Sequence, residues 1–434
     1  MKILYATMQL GRSYSQGTER YVTTLAEAMR GRGHDVAFLA GDPLGLDTPR
    51  QLGEGVDDGV LPGPLYAMPT RGWMSVTGMP VRPIVDWLRA NCPDLIHIAN
   101  PAHIGTNLVA AARQLGVPVV ITTMDFWWVC PKATLLRPGG ELCDGTPGWR
   151  TCVQCMAGGH ASGAVRTLGR LPEALAPVTL LLYLARAGLR GMSPADMRTW
   201  TRRRAHLAGV LNDADYVIFP SRATEGAIRP LIRHERCGVL PYGLPDGWFA
   251  DPRPPRTGPI DPADMVVGYA GAMLPHKAPH LLLEAVRRLG WTRTRVRLAG
   301  AVDDSPYGRQ LRRTAEGLNV EFAGQLSPAD MRAFIRSLDV LAMTSVWPEN
   351  LPFIVLEAQA AGVPVVGSRL AGVAEQLGSA SLAFEPGSAE GLAEALEFVR
   401  AHPAQVRLRQ VARLEDVAAR TEEIYARVLA GNSM

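Results

Sequence analysis

The sequence predicts an α/β protein built from two doubly wound domains. Three observations carry this reading. Short apolar runs of strand length alternate with longer amphipathic stretches, the pattern of parallel β-α-β units. That alternation occurs twice, on either side of a proline-rich, polar stretch at 246–264. And 434 residues are too many for one ordinary core but fit two domains and a connection.

The elements follow in order. Ile3–Ala6 is a first strand, and Gly17–Arg32 has helical periodicity through Tyr21, Leu25, Ala28 and Met29. Val36–Leu39 is the next strand. Leu95–Ile98, a helix at Leu108–Leu115 closed by Gly116, and Val119–Ile121 continue the rhythm. From Cys130 to Asp213 the rhythm breaks into a cysteine-bearing segment and an arginine- and leucine-rich helical stretch. It resumes at Tyr216–Phe219 and Val239–Pro241. The second half reads as Val266–Ala270, a helix at His280–Leu289, Val296–Ala299, a helix within Asp303–Gly317, Val320–Phe322, a helix at Pro328–Arg336, and Val340–Met343. The expected domains are therefore 1–245, with an insertion at about 130–213, and 265–412, joined by the connection 246–264. A last helix at 413–434 could cross back to the first domain.

Composition narrows the function classes. The apolar fraction of 47% and charged fraction of 20% are those of a soluble globular protein. A net charge of +4 does not call for nucleic acid, and it tolerates an anionic substrate or membrane surface. The N-terminal apolar run is too short for a secretory signal, and no apolar stretch reaches the length of a membrane span. A cytoplasmic location is expected. The stretch Gly163–Arg204 pairs apolar runs with Arg166, Arg170, Arg186, Arg190, Arg198 and Arg202–Arg204. It suits either a helical lid or peripheral contact with an anionic membrane.

The densest chemistry lies in Ser345–Glu357, where Glu349 and Glu357 are separated by seven residues. Pro352 reads as a first-turn proline of a helix that runs through Ile354–Ala361 and stops at Gly362, before the strand-like Val363–Val366. Glu349 then precedes a helix N-terminus and Glu357 lies inside the helix. The free N–H groups and positive helix end between them form a natural seat for phosphate. A carboxylate on each side of such a seat suits a nucleotide-sugar, with hydroxyls at both ends. Paired carboxylates also serve glycoside hydrolysis, but the phosphate seat argues against it. Lys277, after Gly271 and before a helix, suits a phosphate as well.

Six cysteines are present. Cys130, Cys143, Cys152 and Cys155 are spaced to satisfy tetrahedral zinc, with a C-x-x-C pair at the end. Four thiolates leave no open position, so the expected zinc is structural. Buried thiols or two disulfides are the other readings.

Taken together, several motifs give the chain a resemblance to GT-B glycosyltransferases of the retaining family 4 type. They are Gly17-Thr18-Glu19-Arg20-Tyr21, Gly33-His34-Asp35-Val36, Leu95-Ile96-His97-Ile98, Asp125-Phe126-Trp127-Trp128, Ala214–Ser221, Pro241-Tyr242-Gly243, Gly271–Lys277, the glutamate segment and Gly372-Val373-Ala374-Glu375. The resemblance implies two Rossmann-like domains facing a cleft, a nucleotide-sugar of the UDP or GDP type on the second, and an acceptor on the first. The acceptor class stays open among sugars, lipid-linked sugars and small natural products. Transfer would retain the anomeric configuration without a catalytic metal ion. The donor set implied is Gly17, Lys277, Gly324, Asn350, Leu351, Pro352, Phe353, Glu357 and Glu375. In that set Glu357 meets the ribose and the backbone near Gly324 meets the base. Glu349, on the sugar hydroxyls, and Lys277, on the diphosphate, form the catalytic pair. His97, Asn100, Met124 and Asp125 fall on the acceptor side. Two positions depart from the family pattern: Met124 stands where a histidine is usual, and Ala272 where an arginine is common. His276, Arg369 or Arg12 could supply the second positive charge. The departures keep two further readings open, a nucleotide-sugar-binding scaffold and a sugar-nucleotide epimerase.

Overall fold

A computed structural model describes residues 1–11, 16–43, 51–56, 61–69, 76–160, 162–186 and 194–431. The chain divides into two compact units, Met1–Pro241 with Leu414–Met434, and Tyr242–Arg413.

The first unit is an eight-stranded sheet. Its strands are β1 (Lys2–Leu10), β2 (Asp35–Pro43), β3 (Gly55–Val56), β4 (Leu65–Ala67), β5 (Leu95–Ile98), β6 (Val119–Thr122), β7 (Tyr216–Phe219) and β8 (Cys237–Val239). They lie in the order β3-β4-β2-β1-β5-β6-β7-β8. All pairs are parallel except β3 with β4. The helices are α1 (Gly17–Gly31), α2 (Val81–Asn91), α3 (Asn107–Leu115), α4 (Trp149–Gly158), α5 (Gly163–Leu168), α6 (Ala176–Arg186), α7 (Pro194–Thr201), α8 (Arg203–Asp213) and α9 (Arg222–Ile228). The central strands β5 and β6 are buried along their whole length, as helices on both faces of a parallel sheet require. The strand expected at Val239–Pro241 lies two residues earlier, at Cys237–Val239. Pro241 has no N–H for a ladder, and the pairing with β7 runs through Cys237, Gly238 and Val239.

The second unit is a six-stranded, fully parallel sheet. Its strands are β9 (Val266–Ala270), β10 (Arg295–Ala299), β11 (Val320–Gly324), β12 (Val340–Met343), β13 (Val365–Ser368) and β14 (Ala383–Phe384), in the order β11-β10-β9-β12-β13-β14. Helices α10 (His280–Arg288), α11 (Pro306–Ala315), α12 (Pro328–Arg336), α13 (Phe353–Ala360), α14 (Ala371–Gln376) and α15 (Ala389–Ala401) cover it. Ser305 and Ser327 cap α11 and α12, each accepting a backbone N–H three residues on. The stretch 246–264 packs into this unit. Trp248 and Ile260 are buried, and Arg253 and Arg256 both pair with the buried Asp339 carboxylate.

The last helix, α16 (Leu414–Gly431), belongs to the first unit, where it lies against α1. Its Glu422 accepts hydrogen bonds from Arg32 and pairs with His34. Its Tyr425 is buried beside Tyr5. Among the described residues no helix is long and apolar enough to cross a membrane.

Candidate functional site

In the second unit β9 lies between β10 and β12, so the chain leaves β9 toward one side and returns on the other. Such a switch point opens a crevice at the carboxyl ends of the strands, where ligands bind in open parallel sheets. Two loops meet there: Gly271–Pro279 after β9 and Thr344–Pro352 after β12. They are stitched together by Thr344 Oγ1 donating to the Lys277 carbonyl at 2.8 Å and Val346 N–H donating to the His276 carbonyl at 2.9 Å.

Glu349 is the hub of this junction. Its Oε1 accepts from Lys277 Nζ at 2.5 Å, Ser345 Oγ at 2.7 Å and Trp347 Nε1 at 2.9 Å. None of these bonds uses Oε2. Lys277 also sits 4.9 Å from the centre of the Trp347 ring, a cation–π distance. Three donors on one oxygen of a buried carboxyl group fix its orientation as an acceptor. The two residues expected to form the catalytic pair, Lys277 and Glu349, are thus bonded to each other.

A glycine fixes the loop from behind. Gly372 N–H donates to the Glu349 carbonyl at 2.9 Å. A Cβ on Gly372 would lie 1.2 Å from the Asn350 carbonyl oxygen. Only a residue without a side chain lets α14 approach the glutamate loop this closely. Asn350 Nδ2 donates to the Tyr242 hydroxyl at 3.2 Å, and the Tyr242 and Phe353 rings stack in parallel at 4.7 Å.

Pro352 takes a different place from the one expected. It is the N-cap of α13, with extended backbone, and Phe353 is the first helical residue. The proline φ suits both positions, and here ψ is 123°, outside the helical range. Gly362, at φ +79°, ends the helix as anticipated. Glu357 is buried in α13, which is otherwise lined by Phe353, Val355, Leu356, Ala358, Gln359 and Ala360. Glu375 lies in α14, three residues after Gly372. Gly324 ends β11 at φ +69° with open space where a Cβ would stand. Gly271 has no charge beside it at Ala272. Of the residues that could compensate, His276 packs edge-on against Trp347, Arg369 pairs with Glu385, and Arg12 lies outside the described residues.

In the first unit Gly17 opens α1, and the acceptor-side candidates separate into two groups. His97 is fully buried, with Nδ1 at 2.5 Å from the Tyr425 hydroxyl and Nε2 at 2.7 Å from Thr122 Oγ1. Burial drives its pKa down to about 3. Both nitrogens are used and no surface is left for a ligand, so His97 is a core residue, not an acceptor contact. Asn100 and Asp125 are bonded to each other, Nδ2 to Oδ2 at 2.9 Å, and Asp125 Oδ1 accepts Trp127 N–H at 2.7 Å. Burial raises the Asp125 pKa to about 6. Met124 is buried before it. Arg203, also buried, donates to the Trp127 carbonyl and stacks 4.6 Å from its ring.

The four clustered cysteines line one cavity of the first unit with free thiols. Among the described residues no group of three or more His, Cys, Asp or Glu side chains is posed to hold a metal ion. Sequence reasoning missed Tyr242, Trp347 and Arg203 as site-forming side chains. Trp347 carried one signal, its place two residues before Glu349.

Comparison with known proteins came to the same parts of the chain. Residues 264–401 match the family described as glycosyl transferases group 1, and residues 15–137 match glycosyltransferase family 4. A GDP-mannose-dependent alpha-mannosyltransferase of Mycobacterium tuberculosis is 34% identical over 109 residues, 24% of this chain and 27% of that protein. A D-inositol 3-phosphate glycosyltransferase of Segniliparus rotundus is 31% identical over 151 residues, 32% of this chain and 33% of that protein. The chain thus spans about a third or less of the length of these relatives. Among solved structures, sucrose-phosphate synthase from Thermosynechococcus elongatus superposes with a TM-score of 0.64 at 16% identity, covering 99% of this chain and 100% of that one. At such identity the likeness speaks for the fold alone.

Proposed function

We propose, from the premise that this chain belongs to the GT-B glycosyltransferases of the family 4, group 1 type, that it moves a glycosyl group from a nucleoside-diphosphate sugar to a hydroxyl acceptor. The observation that supports this best is the convergence of Lys277, Ser345 and Trp347 on Glu349 Oε1 at the head of α13. It puts a cation, an oriented carboxylate and a helix N-terminus at one switch point.

In this reading the diphosphate takes Lys277 and the backbone N–H groups at the head of α13, Val355 excepted because its N–H already donates to the Pro352 carbonyl at 3.1 Å. The positive end of α13 and the ammonium stabilise the charge that develops as the sugar–phosphate bond breaks. Glu349 holds the sugar hydroxyls and Glu357 the ribose hydroxyls. The base lies near Gly324, and Gly17 of the first unit keeps the diphosphate role that the resemblance gives it. Transfer with retention asks little covalent chemistry of the protein. The departing diphosphate takes the acceptor proton, and the enzyme orients the two substrates. Asn100 and Asp125 remain the acceptor candidates on the first unit. UDP- and GDP-sugars are the donor class favoured, and a structure of the Anabaena protein HepE with UDP, TM-score 0.59 at 17% identity, is consistent with it.

Peripheral contact with an anionic membrane is supported by α6, which buries Ala176, Thr179, Leu180 and Tyr183 while Val178, Leu181 and Leu182 are exposed. Co-sedimentation with anionic but not zwitterionic vesicles is the expected outcome.

The donor reading is tested by titrating UDP- and GDP-sugars into the wild type and Glu357→Ala. Loss of a charge-assisted hydrogen bond should weaken donor binding roughly 10- to 100-fold, about 1.5–3 kcal/mol. Unchanged affinity would remove Glu357 from the ribose. Binding without transfer or hydrolysis would favour a scaffold.

A further inference from the structure

The first turn of α8 is bonded to three loops of the first unit. Arg203 donates to the Trp127 carbonyl and stacks 4.6 Å from the centre of the Trp127 ring. Arg204 donates to the Gly145 carbonyl. His206 Nε2 lies 2.8 Å from Thr106 Oγ1. The Thr106 proton goes to the Val76 carbonyl at 3.1 Å, so the imidazole is the donor. Arg203 and His206 are three residues apart and share one face of the helix. That face grips the segment after β5, which carries Asn100, and the turn after β6, which carries Asp125.

The pair between these two segments is oriented but not used up. Asn100 Oδ1 accepts the Ala102 N–H at 3.0 Å, which turns Nδ2 toward Asp125 Oδ2 at 2.9 Å. Asp125 Oδ1 takes the Trp127 N–H at 2.7 Å. Each carboxylate oxygen thus holds one of these bonds and has room for a second. Asp125 is also the one residue from Val119 to Cys130 that is not buried. Trp127 is the link, because its N–H meets Asp125 and its carbonyl meets the buried Arg203. Burial pushes the Asp125 carboxyl up, while the Trp127 N–H, the Asn100 amide and then the Arg203 charge pull it back.

We propose that Arg203 is a positioning residue for the acceptor. It fixes the Trp127 turn, and through that turn it aims the Asp125 carboxylate at a hydroxyl of the incoming acceptor. The contact calls for a hydrogen-bond donor at this point of the acceptor, a sugar or polyol hydroxyl and not an anionic oxygen. Asp125 orients that hydroxyl and takes no proton from it. The inference rests on the transfer reading above.

The full-length protein is assayed with UDP-glucose and GDP-mannose as donors, and with free and lipid-linked hexoses as acceptors. Arg203→Met should lower kcat/KM for the acceptor about 10- to 100-fold through KM, the scale of a misplaced contact. Donor binding should stay at the wild-type value. Arg203→Lys keeps a donor for the Trp127 carbonyl but loses the stacked plane, so its acceptor KM should rise only about 3-fold. Equal loss in the two variants would reduce Arg203 to packing and overturn the proposal, as would a wild-type acceptor KM in Arg203→Met. If Arg203→Met does not fold, Arg203→Lys decides alone, and an unchanged acceptor KM counts against the proposal. Wild-type protein that binds no donor would sink the transfer reading itself. Hydrogen exchange over 124–130 then decides whether Arg203 holds the turn. Faster exchange in Arg203→Lys is expected, and exchange equal to wild type would refute the hold.

Discussion

The two units place polar side chains at the ends of their central parallel strands, and they use them in opposite ways. In the second unit Lys277, Ser345 and Trp347 bond to a carboxylate beside a helix N-terminus, and the charge stays at the mouth of the sheet. In the first unit the imidazole of β5 turns inward, and Thr122 and Tyr425 use both of its nitrogens. The lesson is that a polar residue on a central strand becomes a site only where later elements leave it uncovered. The second unit leaves its switch point to loops. The first covers His97 with α16, the last helix of the chain.

Acidification should separate the two units most strongly. The unfolded His97 takes up a proton near pH 6.5, whereas burial holds the folded pKa down to about 3. Its contribution to stability is therefore whole above pH 6.5 and is lost as pH falls toward 3, at most about 5 kcal/mol. Asp125 acts in the other direction, because its pKa is raised to about 6. The stability difference between wild type and His97→Phe, followed by urea unfolding from pH 7 to 4, isolates the histidine. A flat difference would mean that His97 is accessible and would break the contrast.

Next in size, Glu349→Gln should leave the fold intact and lower transfer about 100- to 1,000-fold, roughly 3–4 kcal/mol, as expected when an oriented polar group at the transition state is lost. Steady-state transfer with a responsive donor sugar measures it. A change confined to KM would demote Glu349 to ground-state binding.

Gly372→Ala probes the support behind that glutamate. Its methyl group would collide with the Asn350 carbonyl, so the loop must move, at a cost of about 1–3 kcal/mol. Donor affinity should fall, together with the thermal midpoint of the second unit. Donor affinity equal to wild type would show that the loop position does not matter. The smallest effect is expected for Tyr242→Leu, which removes one stacked ring and one hydrogen bond to Asn350, about 1–2 kcal/mol. A differential thermal shift with and without donor would show whether the stack supports the loop or only the core.

Much of this was legible in the chain. The strand and helix rhythm of both halves is a local signal, because a strand buried on both faces must be apolar and short. The phosphate-seat reading of Ser345–Glu357 rested on helix-end chemistry that spans few residues. Other features were not legible. Pro352 fits a first turn or an N-cap equally well by φ, and only ψ separates them. His97 looked like the polar end of a strand because Tyr425 stands 328 residues away. Nothing near Gly372 in sequence announces the Asn350 carbonyl against it.

The sequence by itself determined the two α/β sheets and the place of the glutamates around a helix start. These depend on periodicity, turn chemistry and spacing, all of which act over a few residues. The tertiary structure alone decided which polar groups are spent and which stand ready. It turned Lys277 onto Glu349, buried His97 under the last helix, and packed Arg203 against Trp127. Such contacts join residues tens to hundreds of positions apart, and only the closed core fixes their distances.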